Sequence, residues 1–236
     1  MREIEVCVTS LHEAKEAYQA GAKRIELCSA LCTGGVTPSY GCIKTIRKEL
    51  PKLKINVLIR PRGGDFCYSE EEIQTMLEDI EVCKALGVNG IVIGALKEQG
   101  DIDIDTVKRL IAAGKGLRIT FHRAFDCCNA PFNALEEIIA LGCDRILTSG
   151  QKHNVTEGKE MLRQLVEKAN GRIIIMPGSG VNIDNIAELE AYTKAKEFHS
   201  TAQNSEENEC CNEKSKELFG SNGKKTHRDI VAGLIG

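Results

Sequence analysis

Hydrophobic positions along this chain form short runs rich in isoleucine and valine, and amphipathic stretches with helical spacing follow nearly all of them. The runs begin near residues 3, 23, 54, 89, 117, 144, 171 and 195. The segments AGAKRIEL, LGVNGIVIG and LGCDRILTS also resemble one another, because each has a branched residue four positions after a glycine. The pattern predicts eight strand–helix units, which build a parallel sheet covered by helices.

Local signals mark where several of these helices begin. Ser10 with Glu13, and Ser69 with Glu72, have the spacing of capping boxes, and Pro131 is suited to the first turn of a later helix. The same three helices are predicted to end at Gly21, Gly87 and Gly142.

Eight strands alternating with helices over 236 residues predict a closed (β/α)₈ TIM barrel, with residues 1–236 forming a single domain. An open, doubly wound parallel sheet is the alternative. Residues 201–225 have few apolar positions and many charged, serine and asparagine residues, so they are predicted to be a flexible polar insert after the last strand. The final HRDIVAGLI predicts a short closing helix.

Alternation within the strands predicts which side chains face the barrel interior. The apolar members of each strand must meet the helices, so the other members are expected to point inward. This set comprises Glu3, Glu5 and Cys7 of the first strand, Arg24, Glu26 and Cys28 of the second, Asn56, Leu58 and Arg60 of the third, and Arg118, Thr120 and His122 of the fifth.

Charged groups in this interior must neutralise one another or meet solvent or ligand, because an uncompensated buried charge costs several kcal/mol. In one interpretation, Glu5 and Glu26 pair with Arg60 and Arg118 in a purely stabilising network. That interpretation leaves the two thiols unexplained. The groups nearest the carboxyl ends of the strands lie where barrels build their functional sites: Cys7, Cys28, Arg60 and His122.

Arginines and glycines in the loops that follow the strands predict an anion-binding surface. Guanidinium groups suit carboxylates and phosphates, and glycine-rich backbone before a helix offers free N–H donors. The candidate anion-binding residues are Arg60, Arg62, Arg123, Ser149, Gly178, Ser179 and Gly180.

Composition excludes several classes of function. The formal net charge of −3 and the absence of a broad basic face argue against a nucleic acid partner. No run approaches the ~20 apolar residues of a membrane span, and the N-terminus lacks a secretory signal, so the protein is expected to be cytoplasmic. The 11 cysteines are scattered and include no CxxC pair, which predicts mostly free thiols instead of a zinc ribbon.

Several motifs, in order along almost the whole chain, resemble the CutC copper-homeostasis family. They are EVCVTS, GAKRIELCSAL, GGVTPSYG, IRPRGGDFCYS, TFHRAFD, DRILTSG, GRIIIMPGSGVN and EFHS. The resemblance implies a (β/α)₈ barrel, a cytosolic homo-oligomer (dimer or tetramer) and a link to copper. It also implies Cu(I) as the metal, bound by Cys7 and Cys28, and thiolates are the ligands that this soft ion prefers.

Two functions of different class follow. The first is Cu(I) binding at Cys7 and Cys28, to which Cys32 could add a ligand; the competing interpretation leaves these thiols without metal. The second is an enzyme acting on a small phosphorylated or carboxylated metabolite, in which Glu5, Glu26 and His122 transfer protons beside the anion-binding residues. The polar insert carries two further thiols with no assigned role, Cys210 and Cys211.

Overall fold

The structure is a computed structural model that describes residues 2–204, 214, 217, 218 and 224–236. Eight parallel strands alternate with helices. The strands are β1 (Glu3–Val8), β2 (Arg24–Leu27), β3 (Lys54–Leu58), β4 (Gly90–Ile93), β5 (Arg118–Phe121), β6 (Arg145–Thr148), β7 (Ile174–Pro177) and β8 (Glu197–Ser200). The α-helices are α1 (Leu11–Gln19), α2 (Tyr40–Glu49), α3 (Glu70–Ala85), α4 (Ile104–Ala113), α5 (Pro131–Ala140), α6 (Lys159–Ala169), α7 (Ile186–Thr193) and α8 (Arg228–Ile235). Two short 3-10 helices follow β2 and β5, at Leu31–Thr33 and Arg123–Cys127.

The strands follow one another around the sheet in chain order. Its order is β7-β6-β5-β4-β3-β2-β1-β8, so β1 pairs in parallel with both β2 and β8. Strands β7 and β8 pack side by side, which brings the two ends of the sheet together. The (β/α)₈ TIM barrel is therefore confirmed, and the open doubly wound sheet is not observed.

The helix starts agree with the local signals, with one difference. Ser69 and Glu72 form the complete capping box, and Pro131 is the first residue of α5. Ser10 accepts the Glu13 N–H as expected, but the Glu13 carboxylate accepts the Thr9 N–H at 2.6 Å, which completes the cap one residue earlier. The carboxylate still satisfies a free backbone donor, so the helix start is stabilised in the same way.

The alternation of the strands is confirmed as well. The apolar members of β1, β2 and β3 are fully buried in the layer between sheet and helices, as Val6, Ile25 and Ile55 show. The polar members point into the barrel, where they contact side chains from several strands.

Arg24 lies at the centre of the interior polar network. Its guanidinium donates to Glu3 at 3.0 Å, to Glu5 at 2.8 Å and to Glu197 at 2.6 Å, although only 3% of the side chain is exposed. Asn56 donates to the same Glu5 carboxylate at 2.7 Å. These contacts link β1, β2, β3 and β8 from within.

The partners in this network differ from those expected. Arg118 lines the opening at the N-terminal ends of the strands together with Arg24 and Asn56, but its side chain is 72% exposed and pairs with Asp144 instead of Glu5 or Glu26. Its position at the first residue of β5 explains the difference, because the long side chain reaches solvent past the strand end. Arg60 contacts backbone carbonyls instead of Glu5 or Glu26.

The C-terminal helix is present as α8. It follows a bridge between Gln203 and Thr226, and its Leu234 carbonyl accepts a hydrogen bond from Arg2 at 2.8 Å. Most of the predicted flexible insert, including Cys210 and Cys211, lies outside the described residues.

Replacing Arg24 tests how much the interior polar network contributes to the free energy of unfolding. We expect Arg24→Gln to lower the free energy of unfolding by about 3–5 kcal/mol, because it leaves Glu5 and its neighbours as uncompensated buried charges. The control Arg172→Gln removes an exposed pair with Glu136 and should cost no more than about 1 kcal/mol. Urea unfolding of both variants measures the difference, and equal losses would contradict this account.

Candidate functional site

A cavity of about 360 Å³ opens at the carboxyl ends of the strands. One side of its lining carries sulfur, carboxylate and imidazole groups from β1, β2 and β8. The other carries guanidinium and imidazole groups from the loops after β3 and β5. We call the first side the thiol wall (Cys7, Glu26, Cys28 and His199) and the second the cationic wall (Arg60, His122 and Arg123).

The register of the first two strands builds the thiol wall. Cys7 of β1 lies opposite Glu26 of β2, and Cys28 follows two residues after Glu26 on the same face. The sulfurs of Cys7 and Cys28 are 3.6 Å apart, and the Cys7 sulfur lies 3.9 Å from a Glu26 carboxylate oxygen. Strand parity therefore predicted the proximity of these three side chains correctly.

His199 completes the thiol wall. Its Nδ1 lies 3.0 Å from a Glu5 oxygen, and one ligand atom each of Cys7, Glu26 and His199 lies within 4.8 Å of the others. His199 belongs to the family-like motif EFHS, but its role in the site was not predicted from the sequence. Applying the same alternation to β8 would have found it, since Phe198 packs in the outer core and its neighbour must face inward.

Burial and neighbouring charges shift the pKa values of the two glutamates in opposite directions. Burial raises the pKa of Glu26 to about 7. Burial also acts on Glu5, but the hydrogen bond from His199 and the charge of Arg24 outweigh it and lower the pKa of Glu5 to about 2. A carboxylate held ionised by a permanent cation is a weak base, so this environment favours a positioning role for Glu5 over proton transfer.

The thiol of Cys7 is held in its protonated form. Its hydrogen bond with Cys28, together with burial, raises the pKa of Cys7 well above its ordinary value. Because the thiolate is the nucleophile of cysteine chemistry, such a site disfavours covalent catalysis by Cys7. A metal ion bound at this sulfur would have to displace the same proton.

Arg60 fastens two loops at the edge of the cationic wall. Its Nη1 donates to the Thr33 and Gly35 carbonyls at 3.0 and 2.8 Å, and its Nη2 donates to the Gly64 carbonyl at 2.6 Å. The guanidinium also stacks over the Phe66 ring at 4.9 Å. Arg60 is 4% exposed, and no carboxylate among the described residues forms a salt bridge with it.

His122 presents a neutral imidazole. Its Nδ1 accepts the Ala124 N–H at 3.1 Å, which places the ring proton on Nε2. Burial, reinforced by the charge of Arg60, lowers the pKa of His122 to about 3. Within the described part of the chain, the buried Nε2 has no hydrogen-bond partner.

Arg123 is held at the rim by Asp126, whose role in the site was not predicted from the sequence. Arg123 Nε donates to Asp126 at 2.8 Å, and its Nη2 donates to the Ser149 hydroxyl at 3.0 Å. Asp126 also accepts the backbone N–H groups of Ser149 and Gln151. The loops after β5 and β6 are thereby joined, and the Arg123 side chain remains 42% exposed.

The remaining predicted site residues are divided between the lining and its surroundings. Ser179 and Gly180 line the cavity. Arg62 pairs with Glu72 and Asp65 away from the lining, and Ser149 lies behind Arg123. Gly178 packs against His199, since a Cβ there would lie 3.2 Å from the His199 Cβ. Cys32 is exposed and is not among the lining residues.

The fold and this site together define a parallel (β/α)₈ barrel with a buried pocket of thiols, carboxyls and imidazoles at its C-terminal mouth. The model of the CutC family matches residues 2–204. The chain therefore belongs to the CutC family.

Relatives with known names agree with this assignment. A CutC protein of Parabacteroides distasonis is 55% identical over 202 residues, which cover 86% of this chain and 83% of the relative. A CutC protein of Histophilus somni is 47% identical, over 85% of this chain and 82% of the relative.

Solved structures give the same result at the level of the fold. CutC of Streptococcus agalactiae, a protein named for copper homeostasis, has a TM-score of 0.82 and 36% identity, covering 85% of this chain and 99% of that one. Phosphoribosylanthranilate isomerase of Thermotoga maritima has a TM-score of 0.61 and 14% identity, covering 100% of this chain and 97% of that one, and shares the barrel fold alone. Among the described residues, none of the helices has the length and apolar character needed to cross a membrane.

The burial of neutral His122 predicts a pH dependence of stability. An exposed imidazole titrates near 6.5, whereas His122 in the folded protein has a pKa of about 3, so the unfolded state binds more protons between these values. The stabilising contribution is complete above pH 6.5 and is lost as the pH falls toward 3. We expect the wild type to lose about 2–3 kcal/mol more than His122→Asn between pH 6.5 and 4.5.

Urea unfolding at several pH values measures this loss. The variant is a matched control for structure, because an asparagine oxygen can replace Nδ1 as the acceptor for the Ala124 N–H. Parallel pH profiles of wild type and variant would show that His122 is not held neutral.

Proposed function

We propose that the protein binds Cu(I) at the thiol wall, with Cys7 and Cys28 as thiolate ligands and His199 as a third ligand. The observation that carries the proposal is the 3.6 Å separation of two buried sulfurs beside an oriented imidazole. Thiolate and imidazole together suit Cu(I) far better than Mg²⁺ or Ca²⁺, which prefer oxygen. Membership of the CutC family supports copper as the metal.

The spacing of the sulfurs supports three ligands over two. Sulfurs 3.6 Å apart, each bonded to a metal at ~2.3 Å, subtend an angle of roughly 100° at the ion. Two ligands alone would leave one side of the ion open at such a bent angle. Cys7, Glu26 and His199 each have one ligand atom within 4.8 Å of the others, a group that does not include Cys28, so an ion bound by both sulfurs and the imidazole requires the Cys28 side chain to move toward His199. Of the two candidate third ligands, the softer imidazole is the better match for Cu(I).

The network behind the wall supports His199 as that ligand. Glu5, ionised beside Arg24, accepts a hydrogen bond from the Nδ1–H of His199. With the ring proton on Nδ1, the lone pair of Nε2 is available to a metal. Metal-binding histidines commonly have such a carboxylate behind them, which fixes the ring and raises its basicity. Glu5 is thus a positioning residue in this proposal.

Removing both sulfurs tests the site. In a background with Cys32, Cys127, Cys210 and Cys211 replaced by serine, we expect Cys7→Ser with Cys28→Ser to weaken Cu(I) binding roughly 100-fold or more, because even the loss of a group that only hydrogen-bonds to a metal ligand costs about 10–100-fold. Anaerobic titration against a competing Cu(I) chelator measures the affinity.

The matched control removes two other buried thiols, Cys83 and Cys143, by replacement with alanine. This variant has the same number of cysteines as the test variant and should bind Cu(I) as the background does. Equal affinities of test and control variants would refute the assignment to Cys7 and Cys28.

The third ligand has its own spectroscopic signature. X-ray absorption at the copper edge should report two sulfur neighbours and one nitrogen in the loaded protein. His199→Asn should lose the nitrogen while both sulfurs remain, because the amide can still donate to Glu5 but provides no imidazole nitrogen. An unchanged nitrogen contribution in this variant would mean that another group supplies the third ligand.

A further inference from the structure

Arg60 of the cationic wall has a positive charge that no carboxylate among the described residues neutralises. Arg60 is buried, and the acceptors that it contacts are the neutral carbonyls of Thr33, Gly35 and Gly64. A buried cation without a counter-charge is costly, and structures normally place a carboxylate or a bound anion beside it. The cavity adjoins this guanidinium, so it is the place where an anion could approach.

His122 adds a hydrogen-bond donor to the same wall. Its Nδ1 accepts a hydrogen bond from the Ala124 N–H. The Nδ1–Cε1 edge of the ring packs against Gly94, where a Cβ would lie only 2.6 Å from these atoms. The buried Nε2–H is therefore the polar group of the ring that has no partner among the described residues, in a side chain that lines the cavity. A buried donor without an acceptor is destabilising, and an accepting ligand atom would remove that cost.

Arg123 supplies a second, more accessible cation at the rim. Asp126 and Ser149 hold its Nε and Nη2, which fixes the plane of the guanidinium. In the described structure Nη1 donates to no group, and the side chain lines the cavity. An arginine oriented in this way, with a donor left over, is prepared to bind an oxyanion.

We propose that the cationic wall binds the oxyanion group of a small organic acid or phosphate ester, through the Nε2–H of His122 and the Nη1 of Arg123, with Arg60 as the fixed neighbouring charge. The cavity volume of about 360 Å³ suits a metabolite-sized molecule. The body of the molecule would extend toward the apolar lining residues Leu58, Leu147 and Val181. The proposed contacts lie in the same cavity as the proposed copper ligands but include none of them.

The assignment selects among the residues that the sequence nominated for an anion. Arg62 is excluded from this site, because Glu72 and Asp65 already hold its guanidinium outside the cavity lining. Gly178 and Ser149 act as supports for His199 and Arg123 instead of as contacts.

Calorimetric titration with inorganic phosphate and, separately, with acetate tests the proposal, using potassium chloride at matched ionic strength as the reference. We expect at least one of the two anions to bind the wild type and to raise its melting temperature above the reference. His122→Asn and Arg123→Gln should each weaken that binding about tenfold or more, the loss typical of a charge-assisted hydrogen bond. Phosphate binding alone would identify a phosphate ester as the source, whereas acetate binding would identify a carboxylate.

Two control variants distinguish anion binding at this site from a general effect of net charge and from binding at the proposed copper ligands. Arg172→Gln also removes one positive charge, but at an exposed pair with Glu136, and should bind the anion as the wild type does. Cys7→Ser with Cys28→Ser should retain anion binding, so that failure of the copper site and failure of the anion site are distinguishable. Arg60 is not substituted, because it fastens two loops.

A nitrogen-detected nuclear magnetic resonance spectrum distinguishes anion binding by His122 from a purely structural role, which would leave the Nε2 resonance unchanged. The imidazole of His122 should appear as the Nε2–H tautomer near neutral pH, and its Nε2 resonance should shift when the bound anion is added. Unchanged Nε2, absence of binding by both anions, or equal binding by wild type, His122→Asn and Arg123→Gln would each overturn the proposal.

Discussion

The ion pairs of Arg24 inside the barrel are the interaction on which the rest of the structure depends. Parallel strands buried on both faces normally have apolar interiors, yet this barrel places Glu5 and Glu197 inside it. Arg24 makes that possible because one guanidinium contacts both carboxylates and reaches Glu3 as well. The same contacts hold Glu5 ionised, and Glu5 in turn orients His199 at the cavity. Stability and site geometry therefore come from one set of contacts.

Strand parity predicted most of this arrangement from the sequence, because the two-residue period of a strand is strict. It placed Cys7, Glu26 and Cys28 on a common inner face, as observed. The two-residue period does not predict which charged side chains form ion pairs, because pairing depends on side-chain length and on the height of each residue along the barrel axis. Arg118 begins its strand and reaches solvent, whereas Arg24 turns inward from an equivalent position.

Loop residues were harder to predict than strand residues. Arg60, Arg62 and Arg123 all follow strand ends, and the sequence alone gives them equal standing as anion ligands. Their hydrogen bonds distinguish them: backbone carbonyls occupy Arg60, carboxylates outside the cavity lining occupy Arg62, and Asp126 holds Arg123 at the rim. These partners lie in neighbouring loops whose paths no periodicity determines.

The strand register has a chemical consequence for the two sulfurs. Cys28 lies two residues beyond the position opposite Cys7, so their Cα atoms are separated by roughly 8 Å, from the ~4.8 Å between strands and the ~3.3 Å rise per residue. Disulfide bonds need Cα separations of about 4.4–6.8 Å, and a barrel strand cannot slide to reach that range. The pair can approach a shared ion yet resists oxidation to cystine, so oxidants would have to attack each sulfur singly.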